Sequence, residues 1–218
     1  MRKATGITIL VFLLVIPPLV YLFIKQFGKN QYTLPIYFPI DTLSSPPRYH
    51  QVPDFSFISQ RGDTITQKQL TNCVYVADFF FTRCGNICPQ MTSQLVRIQK
   101  AFKSDSTVKI ISYTIDPDYD QVDVLKAYAR RYQADSSRWY FVTGDKKRID
   151  ELAQKGYYIS SVVDSAGNID HSQRLVLVDK ERHIRGFYDG TDPKDVDRLL
   201  IEIRVLLYNN KNKFTSAN

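Results

Sequence analysis

Residues 6–24 form an uninterrupted stretch without a charged side chain, rich in Ile, Leu, Val and Phe. A helix of about 20 apolar residues is long enough to cross a bilayer. Pro17 and Pro18 would break a core helix of a water-soluble protein, and no small-residue cleavage site of the Ala-x-Ala kind follows the stretch. The sequence therefore predicts one uncleaved transmembrane helix at 6–24, preceded by a cytoplasmic N-terminus at 1–5.

The distribution of charge bears on orientation and on partners. Arg2 and Lys3 favour a cytoplasmic N-terminus and an extracytoplasmic soluble domain, as in a periplasm-like compartment, although Lys25 and Lys29 on the other side weaken that argument. The net charge of +7 is concentrated near the anchor, since residues 1–30 hold four basic residues and no acidic one. The remaining 25 basic and 22 acidic residues are typical of an ordinary soluble surface, so we expect no nucleic-acid function.

Beyond the anchor, residues 25–50 are rich in proline and lack a sustained period, which predicts a tether. From residue 51 to 208, short apolar runs alternate with helical patterns, and residues 175–178 and 183–188 form a predicted hairpin. This order predicts one α/β domain with a central mixed sheet flanked by helices. Residues 209–218 are expected to form a C-terminal tail.

Two cysteines follow a predicted buried strand and precede a helix, in the order Cys84-Gly85-Asn86-Ile87-Cys88-Pro89. Residues four apart on a helix share a face, so both sulfurs can address one point in space. Unpaired N–H groups at a helix start stabilise the thiolate, which is the form that binds metals and attacks disulfides. The pair alone is compatible with a metal site or with a redox-active dithiol.

His171 favours a metal site. It lies in a loop just before the predicted strand 175–178, and in a sheet of this kind that loop can lie beside the Cys84 loop. Two thiolates and one imidazole form a soft three-coordinate site that suits Cu(I) and can add a fourth ligand for Cu(II). Structural zinc would require a fourth protein ligand, and none is evident.

Several motifs in order make residues 50–208 resemble the Sco/SenC family of copper-binding assembly proteins for cytochrome oxidase. The motifs are Val76-Ala77-Asp78-Phe79-Phe80-Phe81-Thr82, Cys84-x-x-x-Cys88-Pro89, Ser112-Tyr113-Thr114-Ile115-Asp116-Pro117, His171-Ser172 and Gly186-Phe187-Tyr188-Asp189-Gly190. The resemblance implies a thioredoxin-like fold, an N-terminal anchor and copper ligation by Cys84, Cys88 and His171. It also implies delivery of copper to the copper-bearing subunit of cytochrome c oxidase, or to another copper-accepting protein.

The resemblance also leaves an enzyme as an alternative: a membrane-anchored thiol–disulfide reductase in which Cys84 attacks and Cys88 resolves. Proline is absent just before Leu175, where thioredoxins carry a cis-proline that aligns the substrate disulfide, and this disfavours a general oxidoreductase. Of the other chemically active side chains, Cys73 is expected to be a buried small hydrophobe. Asp78 lies inside an apolar strand, where burial near the thiols would raise its pKa.

Overall fold

The computed structural model describes residues 12–23, 32–159, 162–163, 169–170 and 173–215. The chain divides into two compact units, residues 1–33 and residues 34–218. In the first unit, residues 12–23 are helical. Among the residues that the structure describes, no helix combines the length and apolar character needed to cross a bilayer. Residues 6–11 and 24 of the predicted anchor lie outside the described residues.

The second unit is built on a seven-stranded mixed sheet with the order β11-β10-β5-β6-β7-β3-β4. The pairs β5–β6 and β6–β7 are parallel and the other neighbours are antiparallel. Two small hairpins, β1–β2 and β8–β9, lie outside this sheet. The strands are β1 Pro39–Asp41, β2 Arg48–Tyr49, β3 Ser56–Ser59, β4 Thr64–Thr66, β5 Val74–Phe80, β6 Val108–Thr114, β7 Trp139–Thr143, β8 Val162–Val163, β9 Ile169–Asp170, β10 Arg174–Val178 and β11 Ile184–Asp189.

Helices cover the two faces of the sheet, as the alternating pattern predicts. They are α1 Ile87–Ala101, α2 Val122–Arg131, α3 Lys146–Glu151 with a π-helical turn at Leu152–Gly156, and α4 Pro193–Thr215, with a 3-10 turn at Gln67–Leu70. Every residue of β5 is buried, because successive side chains of this central strand point into opposite cores. Val76 and Phe80 pack with α1, α2 and α4, and Tyr75 and Phe79 pack with α3 and its π-helical turn. The prediction of a mixed sheet flanked by helices is confirmed.

The folded unit begins earlier than the sequence predicts. Leu34 lies inside the segment 25–50 that was expected to be a tether, yet it is only 4% exposed and belongs to the core. Arg185 donates to the carbonyl oxygens of Leu34 and Pro35, and Tyr37 N–H donates to the carbonyl oxygen of Ile184 at 3.0 Å. These partners are distant in sequence, so the local composition of residues 25–50 does not predict the contacts.

The C-terminal end also differs from the prediction. Helix α4 continues to Thr215, whereas a tail was expected from residue 209. The prediction ended the helix at Tyr208, where its apolar stripe ends. A hydrogen-bonded helix can continue past the last residue that contacts a core, so the stripe did not reveal the last turns. The hairpin β8–β9 was not predicted, since each of its strands has only two residues.

Candidate metal-binding and dithiol site

The connection between β5 and α1 brings the two thiols together. Helix α1 begins at Ile87, so Cys88 lies in its first turn and Cys84 lies just before it. The backbone N–H of Cys84 donates to the carbonyl oxygen of Phe81 at 3.3 Å, which closes a turn directly after the strand. The backbone N–H of Cys88 donates to the sulfur of Cys84, also at 3.3 Å. Both cysteines therefore lie at the start of α1, and their binding of one common ion stays a prediction.

The two thiols differ in exposure and in acidity. Partial burial raises the pKa of Cys84, but the backbone N–H groups of Cys88, Asn86 and Ile87 lower it by more, so its pKa lies below the ordinary value. These are unpaired N–H groups of the helix start, which favour a thiolate. Cys88 is fully buried, and burial raises its pKa well above the ordinary value. The site thus pairs an accessible, acidic thiol with an inaccessible, weakly acidic one.

A buried polar chain lies on the same face of the sheet as Cys88. Asp78 is 1% exposed and accepts a hydrogen bond of 2.5 Å from the hydroxyl of Ser112. That hydroxyl in turn accepts a hydrogen bond of 3.0 Å from the indole N–H of Trp139. Burial raises the pKa of Asp78 to about 7, and the hydrogen bond from Ser112 offsets only part of this rise. The expectation that Asp78 is buried is confirmed.

Asp120 holds the end of β5 in place, a role that sequence reasoning did not identify. Its carboxylate is completely buried and accepts hydrogen bonds from the backbone N–H and the hydroxyl of Thr82 and from the hydroxyl of Thr114. Thr82 precedes Cys84 by two residues, and Thr114 ends the neighbouring parallel strand. The available signal was the pair of threonines at adjacent strand ends, which meet at the same edge of the sheet.

An exposed contact joins the β5–α1 loop to the β6–α2 loop at the surface. The guanidinium of Arg83 forms an ion pair of 2.5 Å with Asp116 and lies over the ring of Tyr119, 4.2 Å from its centroid. Asp116 lies in the loop that follows β6 and precedes α2. The residue beside Cys84 is therefore linked to the β6–α2 loop.

The third predicted ligand, His171, lies outside the described residues. In the part of the chain that the structure describes, no group of three His, Cys, Asp or Glu side chains is arranged to hold a metal ion. Cys73 is buried, as expected, and precedes β5, at the opposite end of that strand from Cys84. His50 pairs with the carbonyl oxygen of Gly156 at 2.9 Å, away from the thiols.

Two sulfur donors at a helix start suit a soft ion, and one thiol is already biased towards the thiolate that such an ion requires. Both cysteines are free, so they can also exchange with a disulfide. The mixed sheet, its flanking helices and this cysteine pair define a thioredoxin-like dithiol protein.

Comparisons with known proteins identify the family. The sequence model of the SCO1/SenC family matches residues 44–207. The chain therefore belongs to this family. The SCO1 protein homolog of Bacillus subtilis (strain 168) is 30% identical over 161 residues, which cover 72% of this chain and 83% of that protein.

Two solved structures extend the comparison. BsSco, described as a member of the Sco family of cytochrome c oxidase assembly proteins with a disulfide switch, superposes with a TM-score of 0.64 at 28% identity, covering 77% of this chain and 95% of that one. Arabidopsis thaliana ScoI with copper bound superposes with a TM-score of 0.59 at 25% identity, covering 70% and 97% of the two chains.

Proposed function

We propose that this protein binds copper through Cys84, Cys88 and His171 and passes it to the copper-bearing subunit of cytochrome c oxidase. Family membership and the copper-bound relative support the choice of metal. The observation that carries the proposal is the hydrogen bond between the Cys88 N–H and the Cys84 sulfur, which holds that sulfur at the first turn of α1, the turn that carries Cys88.

The described residues next to His171 support its assignment as the third ligand. Gln173 follows it by two residues, and the Gln173 carbonyl oxygen accepts a 2.7 Å hydrogen bond from the N–H of Gly190. A Cβ atom on Gly190 would lie 3.1 Å from that oxygen and 3.0 Å from Cγ of Met91. Met91 is one helical turn after Cys88. The backbone close to His171 therefore passes beside the first turns of α1.

The difference between the thiols suggests an order for ligand exchange. Copper is the cargo, and each protein ligand must be replaced by one from the acceptor. Cys84 is half-buried and Cys88 is fully buried, so an incoming thiolate reaches the metal on the Cys84 side. Cys88 would then be the last sulfur to let the metal go.

The proposal includes a location. A transmembrane helix at 6–24 would hold the domain on the extracytoplasmic side of the membrane, in a periplasm-like compartment. The length of the uncharged stretch supports this placement.

Transfer of copper can be measured directly. The Cu(I)-loaded protein is mixed with the metal-free, reduced copper domain of an oxidase subunit, and copper is counted in each protein after separation. We expect copper to move to the acceptor, and to move poorly from a Cys84→Ser variant because that variant loads little metal. Cys73→Ser is the matched control, since it removes a thiol outside the site. Retention of all copper by the parent protein would contradict the proposal.

A thiol–disulfide reductase remains a second candidate, favoured by the acidity of Cys84 and the burial of Cys88. A low-pKa accessible thiol attacks a disulfide readily, and a protected partner can then resolve the mixed disulfide. The test uses metal-free protein and an acceptor whose cysteines are oxidised. Rapid reduction that persists in His171→Ala would favour the reductase, whereas slow reduction with efficient copper transfer would favour the chaperone.

A further inference from the structure

The hairpin β1–β2 exposes two aliphatic side chains to solvent, one in β1 and one in the connection that follows it. Leu43 is 96% exposed and Ile40 is 64% exposed, and they lie three residues apart. Tyr37, just before the hairpin, is also exposed. Single exposed apolar side chains are common, but two highly exposed aliphatic residues on one short hairpin indicate a contact surface.

The hairpin is fixed to the domain at its base. Arg185 donates to the carbonyl oxygen of Pro35 at 2.8 Å and forms an ion pair of 2.8 Å with the buried Asp179. The N–H of His50 donates to the carbonyl oxygen of Phe38, which closes the hairpin. The hairpin is therefore part of the folded unit and would carry the domain with it when it docks.

If residues 6–24 span the membrane, only a short stretch of chain separates the span from the hairpin. Only nine residues, 25–33, separate that segment from Leu34, the first residue of the domain core. A chain of this length reaches about 30–32 Å at most, even when fully extended. Among the folded elements, the hairpin is the first to follow this short connection.

We infer that the β1–β2 turn docks the domain on the lipid bilayer, with Ile40 and Leu43 entering the headgroup region. This inference rests on the proposed transmembrane anchor. Aliphatic side chains enter that boundary by burying apolar area, and tyrosine is enriched at the interface.

The topology gives this docking a consequence for the site. Tyr37 is hydrogen-bonded to Ile184, which pairs with Val178, and Val178 pairs with Tyr75 at the start of β5. The thiol pair follows the other end of β5, and a strand of seven residues spans about 23 Å. In a docked domain, the thiols therefore follow the end of β5 opposite to the end that the Tyr37–Ile184 hydrogen bond adjoins.

Tryptophan fluorescence in vesicles tests the inference with the full chain. Leu43→Trp is reconstituted into phosphatidylcholine vesicles with and without lipid brominated along one acyl chain. The native Trp139 is completely buried, so the unsubstituted protein measures the background. Ile201→Trp is the matched control, because Ile201 is 58% exposed and lies on α4. We expect brominated lipid to quench the Leu43→Trp signal at least twofold and the control signal hardly at all.

The outcomes distinguish failure of the hairpin docking from failure of the proposed anchor and of the proposed copper binding. Equal quenching of the two variants, or none in either, in chains that sediment with the vesicles would overturn the docking of the hairpin and leave the anchor standing. Chains that stay in the supernatant would overturn the anchor and the docking together. Copper content is measured on the same samples and tests the proposed function independently, since neither substituted residue belongs to the metal site.

Discussion

Replacing Asp120 with Asn tests how the β5–α1 loop is held. The carboxylate accepts three hydrogen bonds, two from Thr82 and one from Thr114, and is completely buried. A hydrogen bond to a charged group contributes about 1.5–3 kcal/mol and a neutral one about 0.5–1.5 kcal/mol. The Asn amide keeps one acceptor oxygen for the Thr82 N–H and the Thr114 hydroxyl, and its nitrogen can only donate to the Thr82 hydroxyl. All three bonds then lack the charge, so each loses about 1 kcal/mol and the total loss is about 3 kcal/mol.

This loss corresponds to a fall in Tm of about 6–12 °C for a domain of this size. Urea denaturation and thermal unfolding of the metal-free protein measure it. Asp116→Asn is the matched control, because it makes the same change in the same loop at an ion pair with an exposed Arg83. The control should lose less than about 1 kcal/mol. If Asp120→Asn were no less stable than Asp116→Asn, the three-bond account of this loop would be refuted.

Three further outcomes follow from the buried groups and the thiols. Burial raises the pKa of Asp78 to about 7, so the native carboxyl retains a proton that the unfolded chain has released, and the free energy of unfolding should fall as the pH rises from about 4 to about 7. Asp78→Asn should flatten that slope in urea titrations, and an unchanged slope would contradict the assignment. Iodoacetamide near neutral pH should modify Cys84 before Cys88, as read by peptide mass spectrometry, and the reverse order would disprove the exposure and acidity argument. Tyr188→Phe removes a buried hydrogen bond to Glu202 and should cost about 1–3 kcal/mol in chemical denaturation, which equal midpoints for variant and parent would exclude.

Much of the fold was predictable because its signals are local. The apolar run that forms β5 is continuous, and the turn residues and helical spacing after it predict the start of α1 close to where it lies. Cys84 and Cys88 are four residues apart, so their proximity follows from helix geometry alone. Burial of Asp78 could be inferred because an isolated acid within an apolar central strand has no route to solvent.

What the sequence did not indicate depends on partners far along the chain. Asp120 belongs to a polar loop and looks like an ordinary surface acid until Thr82, 38 residues earlier, is placed beside it. Leu34 and Pro35 look like part of a tether because the residue that holds them, Arg185, is about 150 positions away. Such contacts are set by the sheet order, which local patterns do not fix.

The ligand set is the central claim, and X-ray absorption at the copper edge tests it most directly. We predict that the Cu(I)-loaded protein shows two sulfur ligands and one nitrogen ligand per copper. His171→Ala should lose the nitrogen, whereas His183→Ala, which removes an imidazole from the turn before β11, should keep it. A nitrogen contribution that survives in His171→Ala, or a copper site with fewer than two sulfurs, would contradict the account.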